Sequence, residues 1–137
     1  MEDLVAYSYE EGKRVLERKA PETLKKHGQF LTPPTVARYM AKQSRTFKSG
    51  DTLLEPACGS GGLICAVIER LLAEKNPLEI SIIAYEIDEK LCDISHKSLG
   101  VACKEAEKNG IKIDWQVIQG DFVLDRLPDE QPTLFDS

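Results

Sequence analysis

Residues 53–62 read LLEPACGSGG: two leucines, a glutamate and a proline, then three glycines within four positions. The stretch passes into GLICAVIERLLAE, so an apolar strand-like run gives way to a helical pattern through a turn with almost no side chains. Gly59, Gly61 and Gly62 permit positive φ and let a ligand approach the main chain. The helix that follows aims its free N–H groups and the positive end of its dipole at the same place. Two phosphate-gripping versions of this turn fail on the next residues. A P-loop needs Lys-Ser/Thr where Leu63 and Ile64 stand, and G-x-G-x-x-G needs a small residue in place of Ile64. Glu55 would repel a pyrophosphate but would attract a cationic amino group.

The pattern on either side sets the architecture. TLLEP reads as a short buried strand. GGLICAVIERLLAEKN reads as a helix with Ile64, Val67, Ile68, Leu71 and Leu72 as its apolar stripe, closed by Asn76-Pro77. EISIIAYE is a second strand. A long helix follows, with Asp88 as N-cap and Asn109-Gly110 as its stop, and IKIDWQVIQ is a third strand that carries Trp115 in the core. Strand–helix–strand–helix–strand predicts an α/β doubly wound unit with a parallel sheet, which binds ligands at the carboxyl ends of its strands.

Upstream, YEEGKRVLERK predicts a short helix interrupted by Gly12, and PETLKKHG a turn or two. GQFLTPP predicts an extended loop, and PTVARYMAKQSRTF a helix with Val36, Met40 and Phe47 on one side. Residues 1–48 therefore form an N-terminal helical segment with a loop at 28–34, and residues 49–137 form the α/β domain. VLDRLPDEQPTLFDS reads as mostly loop with a short hydrophobic rise at its end.

Each strand end carries a polar signal. Glu86 ends the second strand, where a carboxylate can accept bonds from both hydroxyls of a ribose, and Ile87 offers an apolar wall for a base. Asp121 ends the third strand and can accept from an exocyclic amine, with Phe122 against a purine. Glycine turn, ribose acid and amine-reading acid together describe a pocket for an adenosine with a cationic amino-acid tail, S-adenosylmethionine.

The net charge of −5 is uneven, at +4 over residues 1–48 and −9 over residues 49–137. An acidic body is a poor stand-alone nucleic-acid binder. Cys58, Cys65, Cys92 and Cys103 show no C-x-x-C pair or histidine at ligand spacing, so reduced thiols and no metal are expected. His27 and His96 suggest no catalytic role. With no apolar run of membrane length and no secretion-signal pattern at the N-terminus, a cytoplasmic protein with no membrane partner is expected.

GQFLTPPTVARYM followed by LLEPACGSGGL, AYEID and GDF resembles the amino half of N6-adenine DNA methyltransferases, above all the methylation subunits of type I restriction–modification systems. The resemblance covers residues from about 28 to 136. It implies a Rossmann-like S-adenosylmethionine-dependent methyltransferase fold, here with an incomplete parallel sheet of three strands plus the start of a fourth. It also implies that Phe30 and Thr32 help hold the methionine end. Glu55, Ala57, Cys58, Gly59 and Gly61 match the first cofactor motif, Glu86 the ribose acid, and Asp121 with Phe122 the adenine-reading pair.

In that family a fourth strand ends in N-P-P-Y or N-P-P-F, which holds the flipped target adenine. These 137 residues contain no N-P-P; TLFDS begins the approach and the sequence stops. The expectation is thus a truncated methyltransferase with a cofactor site, no catalytic tetrapeptide, and weak or no DNA binding by itself. The alternatives are a non-catalytic module that complements a second chain or a specificity subunit, and part of a protein or RNA methyltransferase.

Overall fold

A computed structural model describes residues 3–22 and 31–126. Phe30, His27, the PETLKKHG turn beyond Glu22 and the fourth-strand stretch at 133–137 lie outside the described residues. The described elements are α1 (Leu4–Glu17), α2 (Pro34–Gln43), β1 (Thr52–Glu55), α3 (Gly62–Glu74), β2 (Leu78–Glu86), α4 (Glu89–Lys108), β3 (Ile111–Gln119) and α5 (Phe122–Arg126). The three strands pair in parallel in the order β1-β2-β3.

Register puts Leu53, Ile82 and Trp115 side by side, and Ala84 between Glu55 and Val117. This face carries the core, where Ile80, Ile82, Ala84, Ile111 and Val117 meet Ile64 and Ile68 of α3 and Leu99 and Ala102 of α4. The opposite face carries Leu54, Ile83, Tyr85 and Ile118. Leu54 is 40% exposed, so the expectation of a buried first strand is corrected. Among the described residues β1 is an edge strand, with a sheet neighbour on β2 alone.

Helix boundaries follow their caps. Asp88 caps α4 by accepting from the Leu91 N–H at 2.9 Å, and Gly110, at φ 81°, turns the chain into β3. The α3 stripe is buried as its periodicity requires, with Leu72 half-buried beside it. Beyond Gln43 the α2 pattern stops short, because Ser44 is extended and Arg70 of α3 donates to the Ala41 and Ser44 carbonyls at 2.7 and 3.0 Å. Phe47 therefore lies outside the helix, half-buried under the Arg70 guanidinium. The face that α2 buries is also not the expected one: Ala37 and Ala41 are inside, while Val36 and Met40 are exposed. Small residues let α2 lie close on α3, where Arg38 also pairs with Glu69.

Gly12 does not interrupt α1, which starts at Leu4 under an Asp3 cap and continues through it. Glycine stands there because a Cβ would lie 2.7 Å from both Leu31 Cδ1 and Ser60 Oγ. One turn away, the buried Ser8 hydroxyl donates to Ser98 Oγ of α4 at 2.9 Å. In an exposed helix Gly→Ala stabilises by about 1 kcal/mol. Gly12→Ala is expected instead to destabilise by about 1–3 kcal/mol through overpacking, measured as the shift in urea midpoint at constant m-value.

Candidate cofactor site

The site is assembled where the ends of β1, β2 and β3 meet the turn at 56–61. The Cys58 N–H donates to the Tyr85 carbonyl at 2.8 Å and the Gly120 N–H to the Glu86 carbonyl at 2.9 Å, so both flanking loops are tied to the end of β2. Gly59 (φ 57°) and Gly61 (φ 91°) occupy the left-handed region, as the turn demands. Gly61 also packs tightly inward. A Cβ there would come within 3.2 Å of Leu99 Cδ1 and Ser95 Oγ, so this glycine faces α4.

Glu86 shares its sheet face with Ala84 and is 6% exposed. Its Oε1 accepts from the Gly59 N–H at 2.9 Å and its Oε2 from the Asp88 N–H at 3.0 Å. Each oxygen keeps a second lone pair for a ligand hydroxyl. Asp88 in turn pairs with Lys19, just beyond the end of α1.

Beside the turn lies a cavity of about 200 Å³ whose walls include Tyr9, Thr32, Glu55, Cys58, Gly59 and Ser60. Ala57 and Met40 also border it. Glu55 Oε1 accepts from the Ala57 N–H at 3.2 Å. Burial pushes the Glu55 pKa up, opposed only by that hydrogen bond, and no cation pairs with it among the described residues. A half-buried carboxylate so placed favours a cationic ligand group.

Burial also pushes the Cys58 thiol up to about 12, with a contact to Ser95 Oγ at 3.4 Å lowering it in part. Cys65 and Cys103 are pushed equally high and are buried. Cys58 is a packing element of the turn, not a nucleophile.

Asp121 and Phe122 stand at the end of β3. Asp121 Oδ1 caps α5, accepting from the Val123 and Leu124 N–H groups at 2.9 and 3.3 Å. That cap is why residues 122–126 are helical where a loop was expected. The Phe122 ring meets Tyr85 edge-on at 5.2 Å, and Ile87 is half-buried at the end of β2. The structure thus joins Thr32, Glu55, Ala57, Cys58 and Gly59 in one cavity, and connects Glu86 to it through Gly59. Ile87, Asp121 and Phe122 lie along the neighbouring strand ends, outside the cavity lining.

Sequence reasoning missed Tyr9, Leu31, Ser60 and Leu63. Tyr9 comes from a helix far from the motif in sequence. Its only signal was its spacing from Gly12, which is intelligible once Gly12 is seen as a point of close approach.

A three-stranded parallel sheet flanked by helices is the architecture of a Rossmann-like methyltransferase fold. The family model of N-6 DNA methylases matches residues 1–118, and the chain belongs to that family. A comparison with individually curated proteins gave no match. Members of this family are methyltransferases, and methyl transfer to adenine N6 implies S-adenosylmethionine as donor. No described helix is long and apolar enough to cross a membrane.

Glu86→Ala is expected to lower stability by about 2–3 kcal/mol without any ligand, because two buried N–H groups lose a charged acceptor. Denaturant unfolding of the ligand-free protein checks this. Cys58 is expected to resist iodoacetamide at pH 8, reacting at least about a hundredfold more slowly than a free thiol, because so little thiolate forms. Mass spectrometry of the alkylated peptides measures the ratio.

Proposed function

We propose that this chain binds S-adenosylmethionine and serves as the cofactor-holding part of a DNA adenine-N6 methyltransferase of restriction–modification type. The single observation that carries the reading is Glu55, a half-buried carboxylate with no cation paired to it among the described residues, in a cavity walled by the bare backbone of the turn. The cavity is smaller than the about 300–1,000 Å³ that encloses a whole drug-sized ligand, and suits an amino-acid tail.

The residues present fit the cofactor. Glu55 would take its ammonium group, Thr32 and the backbone at 57–59 its methionine chain, and Glu86 its ribose hydroxyls. Ile87 and Phe122 would flank the base, with the Asp121 oxygen not used in capping toward the exocyclic amine. When bound, S-adenosylmethionine supplies an electrophilic methyl group on a sulfonium. Phe30 is proposed on its motif match alone.

The pairing of GQFLTPP with EPACGSGG supports DNA over protein or RNA as substrate class, and a specificity subunit as partner. These 137 residues contain no N-P-P-Y or N-P-P-F to hold a target adenine. They are expected to bind cofactor without transferring methyl groups, and tritium transfer to duplex DNA above background would overturn this. A second reading, complementation of a separate chain that carries the tetrapeptide, is favoured by the β1 edge and the exposed Leu54. Methylation restored by adding a fragment that contains the tetrapeptide would establish it.

Calorimetric titration with S-adenosylmethionine and, separately, NAD is the direct test, with saturable binding of the former alone expected. Glu55→Gln should weaken that binding about tenfold. Because burial raises the Glu55 pKa, the folded state holds its proton more tightly than the unfolded state does. Stability is therefore lost as pH rises through the window between the ordinary value and the raised one, and the cost is fully present above that window. Glu55→Gln should leave the unfolding midpoint at pH 7 equal or higher while binding falls. A drop in both would mean that Glu55 is structural.

A further inference from the structure

An amino-acid tail carries a carboxylate as well as an ammonium group, and Glu55 can serve only the second. Among the described residues, the cavity lining contains no cationic side chain. Helix α1 nevertheless brings a basic group to that lining: the Lys13 ammonium lies 5.3 Å from the centroid of the Tyr9 ring, and Tyr9 lines the cavity. Tyr9, Gly12 and Lys13 follow an i, i+3, i+4 spacing and so share one face of α1. That face points at the site, since a Cβ on Gly12 would strike Ser60 of the turn and Leu31 of the neighbouring loop.

Lys13 is half-buried, and no ion pair engages it among the described residues. Its neighbour Arg14 pairs with Glu11 instead. A ring face that holds an ammonium group fixes a flexible side chain at low cost and leaves its remaining N–H donors for an anion.

We propose that Lys13, positioned by Tyr9, is the carboxylate-binding residue of this site, so that Lys13 and Glu55 together read a zwitterionic amino-acid tail. The inference rests on the cofactor reading above. It assigns to α1, a helix outside both glycine-turn and strand-end motifs, a direct part in choosing the ligand. A tail with its ammonium but without its carboxylate would satisfy Glu55 and leave Lys13 unused.

The test is a cycle of two proteins and two ligands. Wild type and Lys13→Gln are each titrated with S-adenosylmethionine and with decarboxylated S-adenosylmethionine, which keeps the sulfonium, the amine and the adenosine. Wild type should prefer the carboxylated ligand about tenfold, the scale of one charge-assisted hydrogen bond, and Lys13→Gln should abolish the preference. Lys13→Arg should retain most of it, which guards against a variant that merely folds poorly. A thermal melt of each protein without ligand should show equal midpoints.

Equal affinity of wild type for the two ligands, or a preference that survives in Lys13→Gln, would overturn the assignment while leaving the cofactor reading intact. If wild type binds neither ligand, the cofactor reading itself falls.

Discussion

Two backbone N–H groups, those of Gly59 and Asp88, converge on the buried Glu86 carboxylate, and most of the site depends on that convergence. Gly59 belongs to the turn between β1 and α3, Asp88 to the start of α4, and Glu86 to the end of β2. One carboxylate therefore ties three segments together. The ladder bonds from Cys58 to Tyr85 and from Gly120 to Glu86 extend the same junction to either side. In a low-dielectric setting such charge-assisted bonds are stronger than neutral ones, and leaving either N–H unpaired would be costly. The acid proposed to take the ribose is also the keystone of the turn without any ligand.

The junction needs backing, and α1 supplies it from outside the sheet. Its Ser8 bonds Ser98 of α4, and its Gly12 receives Ser60 of the turn and Leu31 of the preceding loop. Lys19, just past its end, pairs with Asp88, the same residue whose N–H reaches Glu86. The turn is thereby held between β2 and α4 on one side and α1 on the other. Ser95 adds a donor to the Gly59 carbonyl at 2.8 Å. The Ser8–Ser98 pair lets α1 lie close on α4, and the Ser95 hydroxyl satisfies the Gly59 carbonyl of the left-handed turn.

The central α/β unit was legible because its signals are local. Periodicity set α3 and α4, Asp88 and Gly110 marked the ends of α4, and β-rich runs marked β2 and β3. Legibility failed where tertiary contact overrode local preference. Gly12 is a poor helix residue in isolation, yet the only one that admits Ser60 and Leu31. On α2 the larger apolar residues Val36 and Met40 face out, because close packing on α3 selects Ala37 and Ala41. Helix α5 went unseen because a cap such as Asp121 was read for its ligand chemistry alone. Of the site, the glycines and acids of the turn and strand ends could be named from their motifs, but the lining residues Leu31, Ser60 and Leu63 were not, and Tyr9 and Lys13 could not be. Their place is fixed by how α1 crosses the domain, and nothing in the local sequence records that crossing.

Glu55 and Glu86 show why position alone does not assign a carboxylate its work. Both lie on the same sheet face at the ends of neighbouring strands. Glu86 is nearly inaccessible and accepts from two N–H groups, so its charge contributes to the fold before any ligand arrives. Glu55 accepts one longer bond, and burial works against its charge. A fold gains nothing by holding such a group at that cost, since a neutral residue of the same shape would be at least as stable. A proton, or a cation brought to the carboxylate, relieves the imbalance. That argument supports the proposed ligand role of Glu55 independently of its place in the motif, and it gives Glu86 a structural task that needs no cofactor.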